Sequence, residues 1–145
     1  MATIHVRGVG FQNSNNTIFL NDVEPFESAL IADIDSNGFE ELYIITRSVG
    51  SGSFAKIYGI ATMDGSSYKL IFNPENDKKV NYNFDYLDQY RGHDSIYIEN
   101  KQLRRSFPLF NENDKKCCPT EGKRILTYKL VTYENALTLH VYKVQ

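Results

Sequence analysis

Several stretches of this 145-residue chain carry side chains whose types and spacing could do chemistry. Tyr90-Arg91-Gly92-His93-Asp94 groups a phenol, an imidazole and a carboxylate, the inventory of a proton-transfer site with His93 near its working pKa. Neither a nucleophile motif nor a metal pattern stands beside it. An Asp next to a His at a Gly turn is more simply a hydrogen-bonded corner that starts the following strand, Ser95-Ile96-Tyr97-Ile98. Asp33-Ile34-Asp35-Ser36-Asn37-Gly38-Phe39-Glu40-Glu41 has oxygen side chains at positions one, three and five and glycine at six, as calcium loops do. Position twelve, where such a loop holds a bidentate Glu, is Ile44, inside an apolar run. A tight turn whose Asp and Asn side chains bond their own backbone therefore takes precedence. No metal is assigned, and Asp33, Asp35 and Asn37 remain the nearest approach to a ligand set. Glu40, Glu41, Asp85, Asp88 and Asp94 could furnish the carboxylate pair of a glycosidase, but they are too many and too scattered to single out two. Gly50-Ser51-Gly52 fails as a nucleophile elbow because Ser53-Phe54-Ala55-Lys56 continues as strand instead of opening a helix. The expectation is a protein that is not an enzyme and uses no cofactor.

The stretch Ser48-Val49-Gly50-Ser51-Gly52-Ser53-Phe54 stands apart from these. Two glycines and three serines build no core, and a chain keeps such a segment where a tight turn or a close backbone approach is needed. An aromatic at the end of a small polar loop reads as a probe.

The elements that must position these residues are strands. Runs at 17–20, 28–34, 41–47, 54–63, 68–72, 95–99, 102–110, 123–133 and 136–144 follow one another with short punctuation, which points to an all-β antiparallel sandwich or barrel in one domain over 1–145. Leu137, Leu139 and Val141 alternate with Thr138, His140 and Tyr142, so His140 belongs to the more polar face. Asp35-Ser36-Asn37-Gly38 and Asp64-Gly65-Ser66-Ser67 read as hairpin connections. Tyr82, Tyr86 and Tyr90, four apart in the polar stretch 76–92, allow at most one short helix. The stretch 111–122 reads as a surface loop, and Arg104-Arg105 as a solvated pair on an edge strand.

Composition narrows the function classes. Hydrophobic residues make up 41% and aromatics 13%, with ten Tyr, nine Phe and no Trp, a balance that favours half-buried pleated sheet. The formal net charge is −2 and no Lys/Arg stripe is interleaved with aromatics, so nucleic acid is not an expected partner. No apolar run approaches the ~20 residues of a membrane span. The start lacks the apolar core of a signal peptide, as a mature fragment would. Cys117 and Cys118 are adjacent, where a bridge closes a strained eight-membered ring and zinc spacing is not met. Two ordinary thiols in a loop are expected.

Taken in order, Ala32-Asp33-Ile34-Asp35-Ser36-Asn37-Gly38, Thr46-Arg47-Ser48-Val49-Gly50-Ser51-Gly52-Ser53-Phe54 and Tyr90-Arg91-Gly92-His93-Asp94 resemble the periplasmic inhibitors of invertebrate-type lysozyme. Leu103-Arg104-Arg105-Ser106-Phe107-Pro108-Leu109-Phe110, Pro119-Thr120-Glu121-Gly122-Lys123-Arg124 and Tyr128-Lys129-Leu130 continue the likeness, over 28–142. The resemblance implies a sandwich-like antiparallel fold, a periplasmic or secreted location, lysozyme as protein partner, and bacterial defence by inhibiting that hydrolase. It also implies that a Ser-Gly-x-Tyr loop enters the target's cleft, which carries over to Ser51, Gly52, Ser53 and Phe54; Tyr90, His93 and Arg104 are added as candidates for secondary contacts. Phe54 departs from the pattern by lacking the phenolic hydroxyl. A homodimer is compatible with the sequence, and so is a calcium- or carbohydrate-binding surface domain without catalytic activity.

Overall fold

The structure, a computed structural model, describes residues 1–12, 16–50, 52–77 and 84–145. Its strands are β1 (Ala2–Val6), β2 (Ile18–Val23), β3 (Phe26–Ala32), β4 (Glu41–Arg47), β5 (Ala55–Ala61), β6 (Lys69–Ile71), β7 (Ser95–Glu99), β8 (Gln102–Pro108), β9 (Lys123–Tyr133) and β10 (Ala136–Val144). Among the described residues, helical structure is limited to 3₁₀ turns at Pro74–Asn76 and Asp85–Leu87. The protein is all-β, as its aromatic content and turn spacing predict. Tyr86 lies in the second of these turns, Tyr90 pairs with Leu109 in an isolated bridge, and Tyr82 is outside the described residues.

Among the described residues three antiparallel sheets form: β3-β4-β5-β6, β10-β9-β8-β7 and the hairpin β1-β2. The two four-stranded sheets enclose the main core, which includes Tyr43, Ile45, Ile57, Leu103, Phe107, Leu126, Tyr128 and Leu139. Along one flank the sheets are stitched together, because Phe72 N donates to Leu137 O and Leu139 N to Phe72 O, both at 2.9 Å. The opposite flank brings β3 alongside β7. The sandwich therefore curls toward a barrel.

Strand β4 has a continuous apolar run because both of its faces are covered. Tyr43 and Ile45 enter the main core, while Ile44 joins Leu20, Val23, Ile60 and Tyr68 in a second cluster beneath β1 and β2. Burying side chains of this size contributes ~1.5–3 kcal/mol each. The alternation of β4 continues past the apolar residues, so Glu41, Tyr43, Ile45 and Arg47 share the inward face. Two charged groups thus sit at opposite ends of one strand, about 20 Å apart at ~3.3 Å per residue.

Several expectations need correction. Strand β1 is an element that the strand pattern does not reveal, five residues long and stabilised by its pairing with β2. Arg104 and Arg105 are not a solvated edge pair: β8 is an interior strand between β7 and β9, and Arg105 is only 3% exposed because it is in phase with Leu103 and Phe107. His140 is exposed on β10, as the alternation predicts. Cys117 and Cys118 are not free thiols but form a disulfide with each other. Ring strain argues against such a bridge between neighbours. The loop supplies the tight local turn the bridge requires, with Cys118 N donating to Lys115 O at 2.9 Å. Asp114 closes the same loop, accepting from Asn111 N at 2.7 Å and from Thr120 N at 2.9 Å.

Candidate functional site

Residues 48–54 join β4 to β5, and their base is closed twice. Ser48 N donates to Phe54 O and Phe54 N to Ser48 Oγ, both at 2.8 Å. Ser51 lies outside the described residues, so the tip is described through Gly52, Ser53 and Phe54. Ser53 adopts a left-handed φ of +48°, an uncommon conformation for a residue with a Cβ. Its carbonyl compensates by accepting two hydrogen bonds, from Arg47 Nη1 and from His93 N, both at 2.9 Å. Gly92 makes the approach from the far side, with φ +84° and a position where a Cβ would fall 1.9 Å from Gly52 O. Only glycine allows the two segments to touch.

The sequence blocks around 47–54 and 90–94 are thus one structure. Its floor is Asp94, which is 2% exposed. Asp94 Oδ1 accepts from Ala55 N at 3.1 Å and Arg47 Nη1 at 3.4 Å, and Oδ2 accepts from Tyr90 Oη at 2.9 Å. Arg105 Nε lies 3.1 Å from the same Oδ2, and Arg105 Nη2 donates to Ala55 O at 2.9 Å. Arg47 also donates to Asp94 O at 2.6 Å and grips Glu27 through Nε and Nη2 at 2.5 and 3.1 Å. At the inner end, Arg105 Nη1 stands 3.6 Å from Glu75 Oε1, which accepts from Tyr128 Oη at 2.8 Å. Charges alternate along Glu27, Arg47, Asp94, Arg105 and Glu75. Burial works against the charge on Arg105, but Tyr128, Glu75, Tyr90 and Asp94 outweigh it and hold its pKa above the usual arginine value. Burial pushes the Tyr90 hydroxyl well up, so it remains a neutral donor to Asp94. Removing Asp94 or Arg105, the buried members, leaves the other as an uncompensated buried charge, at ~3–5 kcal/mol.

This constellation positions a loop. Both oxygens of Asp94 are committed to partners, and the His93 backbone N–H holds Ser53 while the His93 ring stacks on Phe110 at 5.9 Å. The Phe54 ring packs over Gly52, meets Tyr90 edge-on at 5.7 Å and stays 41% exposed. Val49, on the other limb, is 79% exposed. Beside Phe54 opens a concavity of about 410 Å³ lined by Gly52, Phe54, Arg91, His93, Phe110 and Lys116. Basic side chains therefore border the exposed ring. Lys116 comes from the loop that carries the disulfide, and the Arg91 guanidinium lies 5.8 Å above the Phe110 ring.

Of the residues singled out in the sequence, Gly52, Ser53, Phe54, Tyr90 and His93 are brought together here. Arg104 is not: it points to the outer face of β8, where Nη1 is 3.5 Å from Glu99 and Nη2 donates to Gln102 Oε1 at 3.1 Å. Sequence reasoning misses Arg47, Arg105, Glu27 and Glu75 as loop supports. Strand phase holds the signal for two of them, since Arg47 alternates with Tyr43 and Ile45, and Arg105 with Leu103 and Phe107.

At the other end of β4, the Asp33–Glu41 connection shows the local bonding expected of a turn. Asp33 Oδ1 and Oδ2 accept from Asn37 N and Gly38 N at 3.1 and 2.9 Å, and Asn37 Oδ1 accepts from Phe39 N at 2.9 Å. Glu41 is 2% exposed, with Oε1 accepting from Ile34 N at 2.8 Å and from Tyr43 Oη at 3.0 Å. Burial pushes its carboxyl up to about 7, and Asp35 and Asp33 push in the same direction. Comparison of the chain with protein-family models, curated proteins and solved structures gave no match in any of the three.

Proposed function

We propose that this protein inhibits a lysozyme, the invertebrate type first, by inserting the Ser51-Gly52-Ser53-Phe54 loop into the enzyme's cleft, and that it works in the periplasm or outside the cell. One observation carries the reading: the Ser53 carbonyl is fixed by Arg47 and His93 onto a buried ion-pair chain, so the loop is held in shape before any partner arrives. A preformed loop loses less conformational entropy on association. Chemistry at its rim fits the same partner. A glycosidase cleft contains carboxylates, and Arg91, His93 and Lys116 offer complementary donors around an exposed aromatic anchor. The Cys117–Cys118 disulfide is a bond that persists in oxidising compartments, which supports export.

In this mechanism Phe54 fills an apolar subsite while Ser51 and Ser53 supply hydroxyls to the catalytic region, and water-excluding contacts around the ring do most of the energetic work. The test is inhibition of an invertebrate-type lysozyme by Phe54 variants. Phe54→Ala should weaken inhibition about 30-fold or more, the equivalent of at least ~2 kcal/mol. Phe54→Tyr should inhibit equally or better, gaining ~10- to 100-fold if its hydroxyl reaches a carboxylate. Equal inhibition by the parent and Phe54→Ala would end the plug model.

A further inference from the structure

We propose a divalent cation site, with calcium as its occupant, at the end of β4 remote from the loop, formed by the carboxylates of Asp33, Asp35 and Glu41. One carboxylate oxygen from each of the three lies within 4.8 Å of the others. Acidic side chains crowd on surfaces without binding anything, so the deciding observation is Glu41. This residue is 2% exposed, and its Oε2 is buried with no hydrogen-bond partner while Oε1 is satisfied twice. Burying an unpaired carboxylate oxygen beside two further carboxylates is unfavourable in every respect a protein can adjust, and a cation removes both faults at once.

The sequence pattern fits once the count is taken along the real backbone. Asp33 and Asp35 occupy positions one and three, and Glu41 is position nine, the first residue of β4, turned inward by strand phase. The acid sought at position twelve is thus supplied three residues earlier. Asn37, at position five, is not a ligand here, because its amide bridges Phe39 N and Thr62 O and so ties the turn to the end of β5. An all-oxygen, carboxylate-rich set selects a hard cation. Ca²⁺ accepts irregular oxygen geometry, whereas Mg²⁺ demands a near-ideal octahedron and gives up its water reluctantly, so three carboxylates set by a turn and a strand end suit calcium better. Such an ion would clamp the β3–β4 connection and has no part in the loop's contact with a partner.

Terbium luminescence tests this directly. The chain has no Trp, so tyrosine is the only efficient sensitiser, and Tyr43 is hydrogen-bonded to Glu41 itself. Excitation of EDTA-treated protein with added Tb³⁺ should give sensitised emission that Ca²⁺ displaces and equimolar Mg²⁺ displaces at least tenfold less well. Calcium a hundredfold above its dissociation constant should raise Tm by about 5–10 °C. Glu41→Gln retains an acceptor for Ile34 N and Tyr43 Oη, and Asp35→Asn alters a partly exposed residue; both variants should fold, and both should lose the emission and the Tm response. Absence of emission and of any Tm response in the parent, or a full response retained in both variants, would overturn the site. Lysozyme inhibition by either variant should equal that of the parent, so this test and the loop test fail independently.

Discussion

Gly92→Ala is the sharpest perturbation of the loop platform. The new Cβ would stand 1.9 Å from Gly52 O and 3.1 Å from Ser53 O, both backbone atoms that cannot swing aside. Carbon–oxygen contacts settle at about 3.3–3.6 Å, so the loop limb must retreat by more than an ångström. Retreat breaks the His93 N to Ser53 O bond, worth ~0.5–1.5 kcal/mol, and the charged Arg47 to Ser53 O bond, worth ~1.5–3 kcal/mol. Holding alanine at φ +84° adds ~1–2 kcal/mol. Partial relaxation preserves one of the bonds, so the expected loss is ~3–4 kcal/mol. Gly10→Ala is the control: Gly10 has φ +89° and a Cβ added there would meet nothing within 4 Å, so only the ~1–2 kcal/mol of backbone strain applies. Urea unfolding of both variants gives the two losses directly. Gly92→Ala should also inhibit lysozyme at least ~10-fold less well than Gly10→Ala, because its loop is no longer held. Losses within ~0.5 kcal/mol of one another would refute the close approach.

Other consequences of the same geometry are open to measurement. Arg91→Glu combined with Lys116→Glu reverses the charge around Phe54 and should slow association with lysozyme ~10-fold or more at low salt, with the difference shrinking as ionic strength rises; stopped-flow binding would read it. Leu103→Ala empties a position with 0% exposure in the main core and should lower unfolding free energy by ~2–5 kcal/mol without moving the loop. The Arg47 hydrogen bond holds the Glu27 carboxyl below 4.5, so its contribution is present above that value and lost as pH falls through the lowered one. Denaturation of Glu27→Gln should therefore converge with that of the parent at acid pH and separate from it near neutrality, and parallel curves across the whole range would contradict the pairing.

Architecture is more legible in the chain than the site is. Alternation and turn residues deliver β4, β7, β9 and β10 with their observed ends, because each is an amphipathic or doubly covered strand bounded by local turn chemistry. Strand β1 escapes because its half-buried residues gain their cover only from β2 and the outer face of the first sheet. The loop is legible as a composition anomaly, but its support is not. Arg47 and Asp94 are 47 residues apart, and no local pattern announces that they will meet. Glu41 is hidden for a different reason: its partners Ile34 and Tyr43 are near it in sequence and suit a plain strand, while its orphaned oxygen follows from burial that only the fold provides. The disulfide runs against expectation because ring strain can be weighed from two adjacent cysteines, whereas the turn that accommodates it depends on Asp114 and Thr120.

The most direct measurement is a titration of the purified protein into cell-wall lysis assays with invertebrate-, chicken- and goose-type lysozymes. One-to-one inhibition of the invertebrate enzyme is the predicted result, weakened at least ~10-fold in Phe54→Ala and in Gly92→Ala while both variants remain folded by circular dichroism. Full activity of all three lysozymes at saturating protein would contradict it.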